Sequence, residues 1–369
     1  MADMFFYILD YQFDVIGVVD SYKSAIWMER FFTAGDFEIY VPDTTYYNDL
    51  LRLPANGHSI YILRADDQDK LGIIEKIQYK DDPDNGKMIL ATGHTDDYFL
   101  HYRLLMEQAT YNGNLELAVR HMITNAFISS EFNYSRRVTN KMSLGAKIGL
   151  HNTVQLQYQG QYLDEEVDKL AKEYGFGYKM DYDPELKHFT FNLLASVDRS
   201  LDQLTNDPVV FSAKLDNLSS SEYDRGVAYN AAYAYGDGSG SFKYSNGYTL
   251  PASVNFPLER KEAHVDASTT SNNGEAMDGW VLSNLLEQEA KSMVTRSQNS
   301  IETVTAEVLA NTNFVLGVDY FLGDIVQVVI ECGDDRNVTR SFKQKVTEVI
   351  ESFDDTGYQC IPTFETVTI

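Results

Sequence analysis

Apolar and polar residues alternate through the first part of the chain. Phe37, Ile39 and Val41 are separated by Glu38 and Tyr40, and Ile60 and Ile62 repeat the same spacing. A period of two puts one set of side chains on one face of a strand, so these runs are expected to be β-strands with a buried side. Residues 73–79 and 87–92 flank Asp81-Asp82-Pro83-Asp84-Asn85-Gly86. Asn and Gly both tolerate positive φ, which makes this a hairpin turn. Four or more consecutive antiparallel strands predict a barrel or curled sheet over residues 1–97.

The period then lengthens. Leu115, Val119, Met122 and Ile123 recur at helical spacing behind Asn112-Gly113-Asn114, which supplies a cap. Leu163, Val167, Leu170, Ala171 and Tyr174 form a second stripe, with Asp164, Glu165, Glu166 and Asp168 in the first turns and Gly175 at the stop. Acids at the start and a glycine at the end match the helix dipole and the left-handed cap. Residues 176–180 and 188–194 predict a hairpin across Asp183-Pro184. Residues 98–206 are therefore expected to be an inserted α/β domain.

Strands resume after Asp207-Pro208. Residues 207–266 and 301–369 are expected to form a second barrel. Between them, the polar run 267–275 predicts a loop. A helix with Val281, Leu282, Leu285, Leu286, Ala290 and Met293 on one face follows it. Residues 267–300 are thus an insertion in the second barrel, expected to pack with the α/β domain. The expected class is α+β, rich in β structure. The 25 tyrosines and 20 phenylalanines agree, because aromatic rings suit a half-buried pleated surface.

The net charge of −25, with no basic block, argues against a sequence-reading nucleic-acid binder. Solubility is the preferred account of the acidity. Two cysteines, Cys332 and Cys360, imply no disulfide framework and a reducing site of folding. Both fall in the expected second barrel and so could approach each other, with buried free thiols the expected state. The start, Met1-Ala2-Asp3-Met4-Phe5-Phe6, lacks the positive region of a secretory leader, and no apolar run approaches the ~20 residues that span a bilayer. A soluble chain without membrane insertion is expected.

Candidate chemistry is sparse. His94-Thr95-Asp96-Asp97 with His101 carries ligand types suited to zinc or iron, and Asp97 and His101 are four apart. A solvated strand-to-helix turn is the plainer reading. Gly236-Asp237-Gly238-Ser239-Gly240 lacks the Gly-Lys-Ser/Thr and following helix of a phosphate loop, so a hairpin turn is expected. Asp164/Glu165/Glu166 and Asp354/Asp355 are neighbours in sequence, whereas a glycosidase needs two carboxylates facing across a sugar; solvated surface is expected. No serine-hydrolase elbow, His-Glu-x-x-His helix or Cys-His protease signature occurs. No catalytic, cofactor or metal residue is assigned.

Three stretches carry a family likeness. Asp319-Tyr320-Phe321-Leu322-Gly323-Asp324-Ile325-Val326-Gln327-Val328, closing on Pro362-Thr363-Phe364, resembles the C-terminal barrel of the hub module found at the N-terminus of siphophage tail-associated lysins. That module is related in fold to the baseplate hub of contractile phages. Ile8-Leu9-Asp10, residues 20–27 and residues 31–42 look like its opening strands. Residues 230–240 and 260–266 are similar to its strand, glycine turn and returning strand. The resemblance is weakest over residues 111–206. It implies two tail-tube-like barrels per chain and a homotrimer whose six barrels match a sixfold tube to threefold tip parts, closing or gating the DNA channel. It further implies the distal tail protein, the tape-measure protein and tip or fibre proteins as partners. DNA would pass without specific binding, in a virion tail tip made in the host cytoplasm. Because the sequence stops at Ile369, the hydrolase domain of tail lysins is expected to be absent and the chain to have no enzymatic activity. The competing expectations are a peptidoglycan hydrolase and a carbohydrate-binding adhesin that stacks sugars on its aromatic rings.

Overall fold

The computed structural model describes residues 4–55, 57–82, 86–106, 109–129, 134–138, 140–158, 160–236, 244–251, 257–267, 279–299, 302–308, 313–332, 338–355 and 357–367. Strands from both ends of the chain meet in one 13-stranded sheet. Its centre is a single 17-residue strand, Val338–Asp354. Along one edge of that strand, Ile325–Cys332 pairs with the first half and Ser24–Arg30 with the second. Gly357–Thr366 returns along the other edge, with a register shift between Val346 and Glu348. Phe31 N–H donates to the carbonyl of Thr347, the residue at the shift, at 2.9 Å. A bulge bends a strand and increases its twist, so this point lets one strand serve two differently oriented cores.

The first core holds Phe6, Ile8, Trp27, Phe37, Ile39 and Val41, with Trp27 stacked on Phe37 at 5.4 Å. Asp36–Pro42, Gly86–Thr95, Leu71–Asp82, Ile60–Arg64, Phe6–Leu9 and Val15–Val19 continue the sheet outward from Ser24–Arg30 in that order. Asp82↔Gly86 closes the expected hairpin, although residues 83–85 lie outside those described. The second core holds Val209, Phe211, Tyr320, Val326, Val328 and Phe364. Burying a side chain of this size contributes roughly 1.5–3 kcal/mol, so either cluster is enough to hold its strands.

A short helix that the period does not reveal, α1 (Thr45–Leu50), starts on Thr44, whose hydroxyl accepts from Tyr47 N–H. Tyr46 next to it places its hydroxyl 3.1 Å from both N and O of Val18. That contact occupies outward backbone groups of the edge strand Val15–Val19, which would otherwise template pairing with another chain.

Residues 98–206 add a third core. Asn114 caps α2 (Leu115–Ile123) by accepting from Leu117 N–H, and the helix runs on as one π turn, Thr124–Ile128. The helix α3 (Leu163–Tyr174) ends on Gly175 at φ 75°. Gly177–Asp183 and His188–Leu194 form the expected hairpin, joined in parallel by Met142–Leu144. This core also takes Tyr61, Leu63, Leu71 and Ile73 from the large sheet. All five residues of Ile60–Arg64 are buried for that reason: Ile60 and Ile62 face the first core, Tyr61 and Leu63 the third.

Residues 231–266 differ from the sequence expectation. Ala231–Tyr235, Ser245–Thr249 and Glu262–Asp266, expected in the second barrel, form a separate three-stranded sheet. Ala232, Ala234 and Ala263 give it a flat, small-residue face. Leu282, Leu286, Ala290 and Val294 of α4 (Gly279–Asn299) pack onto that face. The helix also meets α3, through Lys169–Glu289 at 2.6 Å and Ser292 Oγ donating to Glu173 at 2.9 Å. Among the described residues no helix is long and apolar enough to cross a membrane.

Candidate functional site

The best cluster in the sequence sits where the strand Gly86–Thr95 ends and a 3-10 turn, Asp96–Leu100, begins. It is not the solvated turn expected. Asp96 and Asp97 are both buried, because the hairpin of the third core lies over them. Thr95 Oγ1 accepts from Gly35 N–H at 2.9 Å, and Met180 N–H donates to Asp97 Oδ1 at 2.5 Å. Asp96 Oδ2 has no hydrogen-bond partner. Burial pushes both carboxyls up, and Asp97 reaches about 7 because the Met180 N–H and the nearby Lys179 offset only part of the desolvation.

His94 and His101 point elsewhere. His94 Nε2 lies 3.2 Å from Asp36 Oδ1, and its Nδ1 meets Glu75 Oε2. His101 Nδ1 lies 2.8 Å from Asp164 Oδ2. The two imidazoles are linked by Tyr98, and Tyr162 extends the ladder of stacked rings: His94–Tyr98 at 3.8 Å, Tyr98–His101 at 4.7 Å, His101–Tyr162 at 4.5 Å. Asp97 therefore turns inward while His101 engages α3, and they share no ligand site. Among the described residues no group of three or more His, Cys, Asp or Glu could hold a metal ion.

The acids at the start of α3 also depart from expectation. Glu165 is exposed, but Asp164 is taken up by His101 and Glu166 is buried. Burial pushes the Glu166 carboxyl up, with Lys169 opposing it. Asp354 and Asp355 are exposed, as read. Of the glycine loop, Gly236 follows the strand Ala231–Tyr235, whose antiparallel partner is Ser245–Thr249; residues 237–243 lie outside those described. Cys360 is a free thiol, pushed up to about 11 by burial; the Cys332 side chain lies outside the described set.

A second cluster has no local signal in the sequence. Arg64, at the end of the apolar run Ile60–Leu63, is 2% exposed. It donates from Nη1 to Glu351 Oε2 at 2.5 Å and from Nη2 to Asp66 Oδ2 at 2.7 Å. Lys70 Nζ lies 2.8 Å from Glu351 and 2.7 Å from Glu29, and Tyr358 OH donates to Glu351 at 3.0 Å. Burial by itself would raise the Glu351 carboxyl, but Arg64 and Lys70 outweigh it and hold the group at about 2. Partners 287 positions apart give no periodic trace; the one hint is an arginine closing an apolar strand.

Both clusters lie where segments distant in sequence meet: the opening strands, the inserted hairpin and the long strand near the C-terminus. Their polar groups are engaged mainly with one another and with backbone. This chemistry locks a joint.

Three solved structures share this fold over nearly their whole length. They are a tail protein from Neisseria meningitidis MC58 (11% identity, TM-score 0.54, 98% of this chain and 96% of that one), a 43 kDa tail protein of prophage MuSo2 from Shewanella oneidensis (10%, 0.52, 98% and 98%), and prophage tail protein gp18 from Listeria monocytogenes EGD-e (11%, 0.50, 99% and 94%). At such identities the likeness is one of fold. The family model described as Siphovirus ReqiPepy6 Gp37-like protein matches residues 5–364. No curated protein matches the sequence.

Proposed function

We propose, from the premise that the chain belongs to the Siphovirus ReqiPepy6 Gp37-like protein family of siphoviral tail proteins, that it is a structural hub at the distal end of a phage tail. Three copies would form an adaptor between a sixfold tail tube and threefold tip parts, and would close or gate the DNA channel until the host is met. The observation that carries this reading is the full-length match in fold to a tail protein and two prophage tail proteins. The continuous sheet supports it, since one strand shared by two cores gives a stiff protomer suited to transmitting load. Each protomer would present the two halves of that sheet, one around each core, so that a trimer offers six positions to the tube, a closed arrangement without unmatched strand edges. The distal tail protein, the tape-measure protein and tip or fibre proteins are the partners proposed. DNA would pass without sequence-specific contact, the site of action would be the virion, and no catalytic step is assigned to the chain.

The test is the mass of the purified protein by light scattering, together with its copy number in tail tips. A trimer in both is the expected result. A monomer absent from particles would end the reading, as would clearing of host peptidoglycan by the protein alone in a zymogram.

A further inference from the structure

Charge is unevenly divided along this acidic chain. Residues 101–161 hold six basic side chains (Arg103, Arg120, Arg136, Arg137, Lys141, Lys147) against three acidic ones, while the remaining 308 residues hold 24 basic and 52 acidic. A cationic lobe on a body of the opposite sign is an electrostatic handle.

One surface of that lobe is also apolar. Leu104 bridges Tyr162 in antiparallel register, flanked by Leu105 N–H donating to Gln161 and Leu163 N–H to Arg103. Extended chain alternates its side chains. Leu105 is buried, whereas Leu104 and Met106 emerge on the other side at 37% and 38% exposure, with Tyr162 at 43% across from Leu104; Tyr102, in the turn before this segment with its hydroxyl donating to Glu75, is 46% exposed. Leu104, Met106 and Tyr162 thus line one exposed face. Arg136 is fixed beside it, donating from Nη2 to the Leu104 carbonyl at 2.7 Å. Arg103 lies against the Phe127 ring at 5.0 Å with its Nε buried and unpartnered. Burial and the neighbouring Arg136 hold the Arg103 guanidinium below its ordinary value. Among the described residues neither arginine pairs with a carboxylate.

We propose that the face formed by Leu104, Met106 and Tyr162, with Arg103 and Arg136 at its edge, docks onto the acidic surface of a second copy of this chain. Tyr, Met and Arg are the residue types enriched at protein interfaces, and a rigid ring costs little entropy to immobilise. The second copy is the occupant that the charge division favours, since the same polypeptide carries the complementary sign over the rest of its length. A carboxylate from that copy would neutralise the arginine pair. The inference rests on the multi-copy hub reading and names the surface that reading leaves open.

The experiment measures the mass of the full-length protein by sedimentation at about 0.1 M and about 1 M salt, which shortens the screening length from ~10 to ~3 Å. Wild type is compared with Leu104→Glu and Arg136→Glu. Both positions are at the surface, and retained circular dichroism and melting confirm the fold. Expected is a wild-type oligomer that weakens in high salt, with its dissociation constant raised at least about 30-fold by either variant. Variants that remain trimers overturn this surface while leaving the trimer standing. An oligomer of another order that the variants dissolve supports the surface and ends the trimer reading; a monomeric wild type ends both. Binding of duplex DNA by wild type that Arg136→Glu abolishes would assign the face to nucleic acid and overturn the proposal.

Discussion

Asp97 shows what a single side chain contributes to the joint. Its carboxyl titrates near 7 in the fold and near 3.8 in the unfolded chain, so between these values the native state binds a proton that the unfolded state has released. Stability from this group accordingly falls as pH rises from about 4 to 7 and is flat above. Asp97→Asn keeps an oxygen for Met180 N–H and removes the desolvated charge. The variant is expected to gain on the order of 1–3 kcal/mol at pH 8 and to gain little at pH 4, read from urea midpoints at the two values. Equal gains at both would show that the charge is not the cause. His94, Asp96, Asp97 and His101 were legible as an unusual cluster from residue type alone. Their separation into an inward acid pair and an outward ring ladder was not, because the hairpin that buries the acids arrives from more than eighty positions away.

Elements were read best where their signals are local. Asn114 and Gly175 mark the ends of α2 and α3 because a cap is a contact between near neighbours. The α1 turn and the π turn after α2 escaped: the first is too short for a period to register, and the second continues the apolar stripe of the helix before it. Two glycines at positive φ separate backbone strain from crowding. At Gly175, φ 75°, an added Cβ would meet only Lys345 Nζ at 3.4 Å; at Gly323, φ 91°, it would fall 2.1 Å from Cε2 of the fully buried Phe31. Gly175→Ala is expected to cost about 1 kcal/mol and Gly323→Ala about 2–4 kcal/mol, because overpacking adds to strain. Urea unfolding of the two variants side by side measures the difference, and equal losses would show that Phe31 yields freely.

For the whole molecule, the sheet makes the ends of the chain one structure. Gly357–Thr366 pairs with Val338–Asp354, which in turn carries Ser24–Arg30, and Phe364 is buried in the second core. A chain ended after Asp355 should lose protease resistance in residues 24–42 as well as in 338–355, detected by mass spectrometry of limited digests. Resistance retained in the opening strands would show that they fold without this support.

By itself the sequence determined where most of the long strands and helices run, where α2 and α3 are capped, and that the protein is β-rich, since alternation, helical period and capping act over a few residues. Tertiary structure decided which strands share a sheet, why Ile60–Arg64 is buried on both faces, and how Arg64 finds Glu351. These depend on pairings between residues hundreds of positions apart, and burial creates their energetic value only once the chain has closed.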